Sequence, residues 1–198
     1  MDSWKIFCTG VGGQGTLLAT YLIGEAALKA GLPVMVSEIH GMAQRGGVVE
    51  SAVVMGSRKS PIISDGEADI LLAFEPSEAM RALRKCNPES LVISSVVPLI
   101  PFTVSSGKES YPDVDKLLDS IKNQVRKFIG FNALELARKA GSELSQNMVI
   151  LGALFKHGGL PIDPEIMRDL IKTRTKKAFR EVNIRAFELG YNLQAGSV

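Results

Sequence analysis

Two stretches of this chain carry residues whose type and spacing can do chemistry. The first is Gly10-Val11-Gly12-Gly13-Gln14-Gly15, a G-x-G-x-x-G pattern, followed by Thr16. In such a loop the first glycine permits a tight turn, the second lets a phosphate approach the backbone, and the third lets a helix pack closely on its strand. A helix starting there offers N–H groups and a partial positive charge to an anion. Thr16 stands where a Walker A loop carries its lysine, so the loop is not of that kind. The second stretch is Ser37-Glu38-Ile39-His40-Gly41-Met42-Ala43-Gln44-Arg45-Gly46-Gly47. His40, Gln44 and Arg45 are polar groups in a loop too rich in glycine for a helix. Arg45 is a fixed cation with a planar fork, suited to phosphate or carboxylate, and His40 has the one side chain that titrates near neutral pH. Glu38 falls where NAD proteins place a ribose-binding carboxylate. Neither His40 nor Glu38 has a partner visible in the sequence that would tune it as a base, so no residue is assigned to catalysis. Two plainer readings stay open: the glycines only turn the chain, and the second loop only meets backbone or another subunit.

These residues need elements to position them. Lys5–Gly10 is a short apolar run before glycines, as in a buried strand. Thr16–Ala30 has helical spacing, with Leu18, Leu22 and Ala26 on one row and Leu17, Tyr21 and Leu28 beside them; Gly31 and Pro33 end it. Val34–Val36 reads as a second strand, making a βαβ opening with parallel strands. Strands follow at Val48–Met55, at Pro61–Ile63 as a short edge, at Ala68–Phe74, at Leu91–Val97 and near Val125–Ile129. Between them lie a helix from Pro76 to Lys85, a loop over 105–113 and a helix from Asp115 to Asn123. The last third reads as helices: Asn132–Ala140 closed by Gly141, Met148–Phe155 capped by Ser145, one opened by Asp163-Pro164-Glu165, and a last one with the stripe Phe179, Val182, Ala186, Leu189 that stops at Gly190. Met148–Phe155 is apolar on all sides and is expected to be buried; Asn147 before it reads as a cap rather than a ligand, and His157 as capping its far end or meeting solvent. The expected fold is α/β: a Rossmann-like doubly wound sheet, mostly parallel, with extra C-terminal helices. Residues 1–198 form one domain, with an α/β core over 1–130 and a helical extension over 131–198. Both polar loops then fall at the carboxyl ends of strands, the edge where open α/β sheets bind ligands.

Composition narrows the function. The 198 residues are 45% hydrophobic and 22% charged, an ordinary globular balance. A net charge of +2 is too small to argue for nucleic acid or an anionic membrane. Lys172, Arg174, Lys176, Lys177 and Arg180 read as a solvated helix face. Only Cys8 and Cys86 are present, neither with a cysteine nearby, which excludes a cluster held by four local cysteines; two histidines argue against structural zinc. Cys8, in an apolar strand, is expected to be a buried thiol. The start Met1-Asp2-Ser3-Trp4-Lys5 lacks the features of a signal peptide and no apolar run reaches membrane length, so the expected location is cytoplasmic.

The wording of three segments is similar to a known family. Gly10–Gly15 as GVGGQG, Ser37–Gly47 as SEIHGMAQRGG and Asn147–Ala153 as NMVILGA resemble the gamma subunit or domain of pyruvate and related 2-oxoacid:ferredoxin oxidoreductases. Ser60-Pro61-Ile62-Ile63, Leu72-Ala73-Phe74-Glu75-Pro76, Glu78-Ala79-Met80-Arg81 and Asn183 with Ala186-Phe187 resemble in particular the small beta subunit of the indolepyruvate branch. The likeness spans nearly the whole chain. It implies CoA-dependent oxidative decarboxylation of an aryl 2-oxoacid to an acyl-CoA, with ferredoxin reduced through the complex. Thiamine diphosphate, magnesium and 4Fe–4S clusters are then expected on a large alpha-type partner subunit. This chain lacks the cluster ligands, and it lacks a Gly-Asp-Gly diphosphate motif, since Ser64 precedes Asp65-Gly66. No cofactor is firmly assigned to it; coenzyme A is the open candidate. The resemblance makes Gly10, Gly12, Gly13, Gln14, Gly15 and Thr16 candidate cofactor-binding residues, and His40, Gln44, Arg45, Gly46, Gly47 and Asn147 candidates for the CoA or partner site. Pyruvate, 2-oxoglutarate and branched-chain 2-oxoacids stay open as substrates. A self-sufficient NAD(P) enzyme and a nucleotide- or CoA-binding scaffold without its own chemistry stay open as other functions.

Overall fold

The computed structural model describes residues 3–40, 47–56, 60–100, 104, 107 and 110–194, with His40 described in its backbone alone. Six strands form one sheet: β1 Trp4–Val11, β2 Val34–His40, β3 Val48–Met55, β4 Ala68–Ala73, β5 Cys86–Ser95 and β6 Lys127–Phe131. Their order is β2-β3-β1-β4-β5-β6. The pairs β1–β4, β4–β5 and β5–β6 are parallel, while β3 runs antiparallel to both neighbours, β1 and β2. Seven α-helices lie among the described residues: α1 Thr16–Lys29, α2 Pro76–Ala82, α3 Val114–Lys122, α4 Ala133–Ala140, α5 Gln146–His157, α6 Pro164–Arg174 and α7 Arg180–Tyr191. The fold is therefore α/β with a mostly parallel sheet and C-terminal helices, as expected.

The opening differs from a simple βαβ unit. β1 and β2 do point the same way, but β3 lies between them. Only seven residues join β2 to β3, too few for the crossover that a parallel return needs, and β3 runs antiparallel. β3 can sit inside the sheet because both its faces are covered: Val53 and Met55 join the core on the α1 side, Ala52 and Val54 the core on the α2 side. Pro61–Ile63 forms no strand; only Ile63 is buried there. β5 starts earlier than its apolar run because Cys86 pairs with Ala68 across a register shift, and Ser90 Oγ donates to the Ala68 carbonyl at 2.6 Å. β6 lies two residues later than the sequence pattern places it.

α1 rests on one face of the sheet with α4 to α7; α2 and α3 cover the other. The ligand-binding crevice of such a sheet lies where the chain leaves to opposite faces, here between the carboxyl ends of β1 and β4. The apolar α5 is buried from Asn147 to Phe155. Ser145 does not cap it through its side chain; the hydroxyl donates instead to Asn183 Oδ1 at 2.7 Å. Gly190 does not stop the last helix either. It lies inside α7, where an added Cβ would come within 1.9 Å of the Val149 carbonyl oxygen, and Gly152 meets the Phe187 carbonyl in the same way. Two glycines thus let α5 and α7 touch backbone to backbone. Phe179 precedes α7 and is half-exposed; the buried stripe is Asn183, Ala186, Phe187 and Gly190. His157 Nε2 lies 3.1 Å from the Leu193 carbonyl, and burial holds its pKa below the usual histidine value. No helix among the described residues is long and apolar enough to cross a membrane.

Candidate functional site

The carboxyl ends of the strands gather the residues singled out by sequence. β1 delivers the glycine loop. Gly13 and Gly15 have φ of 104° and 76°, values that exclude most side chains. Gly10 is tight for another reason: a Cβ there would meet Thr16 Oγ1 at 2.8 Å and Phe74 Cβ at 2.9 Å. A Cβ on Gly15 would strike Asn147 Nδ2 at 2.5 Å. Asn147 lies inside the first turn of α5 rather than before it. Its Nδ2 donates to the Gly15 carbonyl at 3.3 Å, so it tethers the loop as well as its own helix.

Gln14 is the centre of the loop. Its Oε1 accepts from the Val11 N–H and its Nε2 donates to the Phe74 carbonyl, both at 2.8 Å. The amide therefore spans the crevice between the ends of β1 and β4. The second loop arrives at the same place. Val48 at the start of β3 pairs with Val11, and the Gly12 N–H donates to the Gly47 carbonyl at 2.9 Å. The two polar motifs, more than twenty residues apart in the chain, are hydrogen-bonded to each other. Gln44, Arg45 and Gly46 lie outside the described residues, as does the His40 side chain; Gly47 is placed beside Gly12.

α1 begins at Thr16 with Gly15 as its N-cap, no side-chain cap and no acid in its first turn. That leaves the helix start suited to an anion. Gly12 is not suited in the same way, because its N–H is engaged by Gly47.

Sequence reasoning missed an acidic group on the α2 side of this edge. Glu75 is 1% exposed and is the N-cap of α2, with Pro76 at N1. Its Oε2 accepts from the Glu78 N–H at 2.9 Å; its Oε1 accepts from the Leu99 N–H at 3.3 Å and from the Tyr111 hydroxyl. One carboxylate so fastens α2 to residues on both sides of the segment 100–110. Burial and the Glu75 carboxylate push the Tyr111 phenol well above its usual range. Glu78 is also buried and binds Arg81 at 2.7 Å. Burial first, then repulsion from Glu75 and Glu50, raises its pKa against the pull of Arg81. Glu78 Oε2, Thr9 Oγ1 and Thr16 Oγ1 are buried without a hydrogen-bond partner. An acid directly before a proline that opens a helix was the available signal for Glu75.

The two cysteines are free thiols on different strands, Cys8 in β1 and Cys86 at the start of β5. Cys8 is fully buried in β1 and burial pushes its thiol up to about 12; Cys86 is pushed up to about 11. Among the described residues no three His, Cys, Asp or Glu side chains are grouped to hold a metal ion.

The family model "Pyruvate ferredoxin/flavodoxin oxidoreductase" matches residues 5–193. The chain is 42% identical over 195 residues to indolepyruvate oxidoreductase subunit IorB of Methanothermobacter thermautotrophicus, covering 98% of this chain and 100% of that protein. Among solved structures it is similar to the gamma subunit of a keto/oxoacid ferredoxin oxidoreductase from Geobacter sulfurreducens PCA, with TM-score 0.69, 25% identity, and 95% and 96% of the two chains covered. The same fold occurs in 2-oxoglutarate:ferredoxin oxidoreductase from Magnetococcus marinus, with TM-score 0.72 and 21% identity, where the match spans all of this chain but 32% of the other.

Proposed function

The chain belongs to the pyruvate ferredoxin/flavodoxin oxidoreductase family, as a small subunit of a 2-oxoacid:ferredoxin oxidoreductase, and from that premise we propose that its 2-oxoacid is an aryl one such as indolepyruvate. The observation that carries the substrate is the 42% identity to an indolepyruvate oxidoreductase subunit over the full length of both chains. Residues 1–198 act as one unit. A large partner subunit supplies thiamine diphosphate, magnesium, iron–sulfur clusters and the path to ferredoxin. The partner's cofactors carry out decarboxylation and single-electron transfer.

What this chain contributes is the interlocked pair of loops. A phosphate of coenzyme A fits at the first turn of α1, where Gly15 and Thr16 present the helix start without a capping side chain. Arg45 adds a fixed positive charge. Gly10, Gly12, Gly13 and Gln14 hold the loop in shape rather than touch the ligand, and Asn147 fixes the Gly15 carbonyl from below. His40, Gln44, Gly46 and Gly47 serve the coenzyme A or partner site. Coenzyme A, when bound there, supplies the thiol that accepts the acyl group; this chain's residues orient it. The complex works in the cytoplasm.

The test is reconstitution. The chain is purified alone and together with its large partner subunit, and indolepyruvate-dependent reduction of a one-electron dye is followed with and without coenzyme A. Activity in the mixture alone, with indolepyruvate preferred over pyruvate and 2-oxoglutarate, is the expected result. NAD reduction by the lone chain would overturn the reading. Arg45→Ala should raise the KM for coenzyme A and weaken its calorimetric binding; unchanged values would remove the phosphate role.

A further inference from the structure

α1 is mostly apolar, with Glu25 and Lys29 as its charged residues, and the apolar parts of such a helix are stable when they are covered. Its inner side packs on the sheet through Ala19, Leu22, Ile23, Ala26 and Ala27, all at 0% exposure. Its outer side does not. Leu18 is 37% exposed, Tyr21 44% and Leu28 60%, and they share one face at helical spacing. Gly24 lies along the same side and brings α1 against Val36 of the edge strand β2; Val36 is 39% exposed. The apolar stripe therefore runs from the helix onto the end of the sheet. Glu25 falls between Tyr21 and Leu28 on this face and Lys29 beside it, and both are paired within the chain: Glu25 with Arg174 at 2.7 Å and Lys29 with Asp169 at 2.6 Å. An exposed apolar stripe with self-satisfied charges fits an apolar surface better than an acidic or basic one.

We infer that the outer face of α1, with Val36 of β2, is the surface on which the large subunit of the complex docks. This inference rests on the reading of the chain as a small subunit. Area favours that occupant over a second copy of this chain. The exposed parts of the four side chains amount to about 300 Å², against the roughly 800 Å² per partner of a stable interface. Two copies meeting helix to helix across a two-fold axis would cover little more than the stripe. A large chain can continue past α1 along β2, the outermost strand of the sheet among the described residues.

The experiment compares Tyr21→Glu, Leu28→Glu and, as a control on another surface, Leu144→Glu; Leu144 is 74% exposed. Each lone chain should keep its Tm within about 2 °C, since the side chains are at the surface. Affinity for the large subunit, measured by interferometry with the immobilised small chain, should fall about 30-fold or more for Tyr21→Glu and Leu28→Glu and stay unchanged for Leu144→Glu. Folded Tyr21→Glu and Leu28→Glu chains that bind like the wild type overturn the inference. So does a wild-type chain that sediments as a dimer and becomes monomeric on either substitution while still binding the large subunit, because the face then belongs to a second copy. A wild-type chain that fails to bind the large subunit at all overturns the subunit reading itself, a result distinct from loss in the variants alone.

Discussion

Gly190→Ala is a one-methyl change whose sign the structure decides. In an exposed helix interior, replacing glycine by alanine stabilises by about 1 kcal/mol, because alanine loses less backbone entropy on folding. At Gly190 the new Cβ would sit 1.9 Å from the Val149 carbonyl oxygen and 2.7 Å from its carbon. Both obstructing atoms are backbone of α5, so no rotamer change relieves them. To restore an ordinary contact α7 must move off α5 by about 1.5 Å, and overpacking of this kind costs about 1–3 kcal/mol or more. The displacement also opens the edge-to-face pair of Phe155 and Phe187, whose centroids lie 5.9 Å apart. A cost beyond the upper end of that range, less the helix gain, leaves a net loss of about 2–3 kcal/mol, or about 4–12 °C in Tm for a chain this long. Gly24→Ala is the matched contrast. It meets only Val36 Cγ2 at 3.0 Å, the tip of a half-exposed side chain on the edge strand. That variant should gain about 0.5–1 kcal/mol. Thermal unfolding by circular dichroism reads both. A Tm that rises in Gly190→Ala as in Gly24→Ala would refute the account, and with it the claim that glycine contact sets the α5–α7 spacing. Because α5 carries Asn147, the Gly190→Ala chain should also show faster amide exchange in the glycine loop.

Gln14→Ala removes the bridge between the Val11 N–H and the Phe74 carbonyl; the expected loss is about 2 kcal/mol, with faster hydrogen exchange at Val11, and undiminished protection there would show that the amide is dispensable. Glu78→Gln tests the buried acid through pH. The folded-state pKa is raised, so Glu78 contributes stability that is complete in acid and is lost as pH climbs through the raised value. Urea unfolding should then show the stability of the wild type falling relative to Glu78→Gln from the ordinary carboxylate range upward, and a difference that is flat with pH would sink the argument.

Much of the frame was legible because its signals are local. The glycines after β1, Pro76 and Pro164 at helix starts, and the cap residues Asn132 and Asp163 each act within a turn of themselves. What failed was decided by distant partners. Leu18, Tyr21 and Leu28 look like core residues by periodicity, yet they face outward, because apolar spacing does not say which of two apolar sides meets the sheet. Gly190 resembles a helix stop until Val149 is placed against it. Ser145 has the chemistry of a cap, but Asn183, thirty-eight residues away, takes its hydroxyl. Pro61–Ile63 has strand residues and no neighbour to pair with. Glu75 was readable as a cap, while its second role, holding Leu99 and Tyr111, depends on a fold that sequence spacing does not contain.

The insertion of β3 bears most directly on function. Were β2 beside β1, the two polar loops would be neighbours at the sheet edge with no bond between them. Because β3 returns between the two strands, its first residue pairs with Val11, and Gly47 reaches the N–H of Gly12. Gln14 then closes the same turn from the other side by binding across to β4. A dinucleotide site needs the crevice at this point open and the second glycine free to meet a diphosphate. Here the crevice holds a side-chain amide and the glycine holds a loop. The G-x-G-x-x-G pattern is therefore hydrogen-bonded as a clamp between loops, and the proposed coenzyme A phosphate is left with the start of α1. That division of labour suits a subunit that shapes the edge of another chain's active site better than it suits a self-contained NAD enzyme.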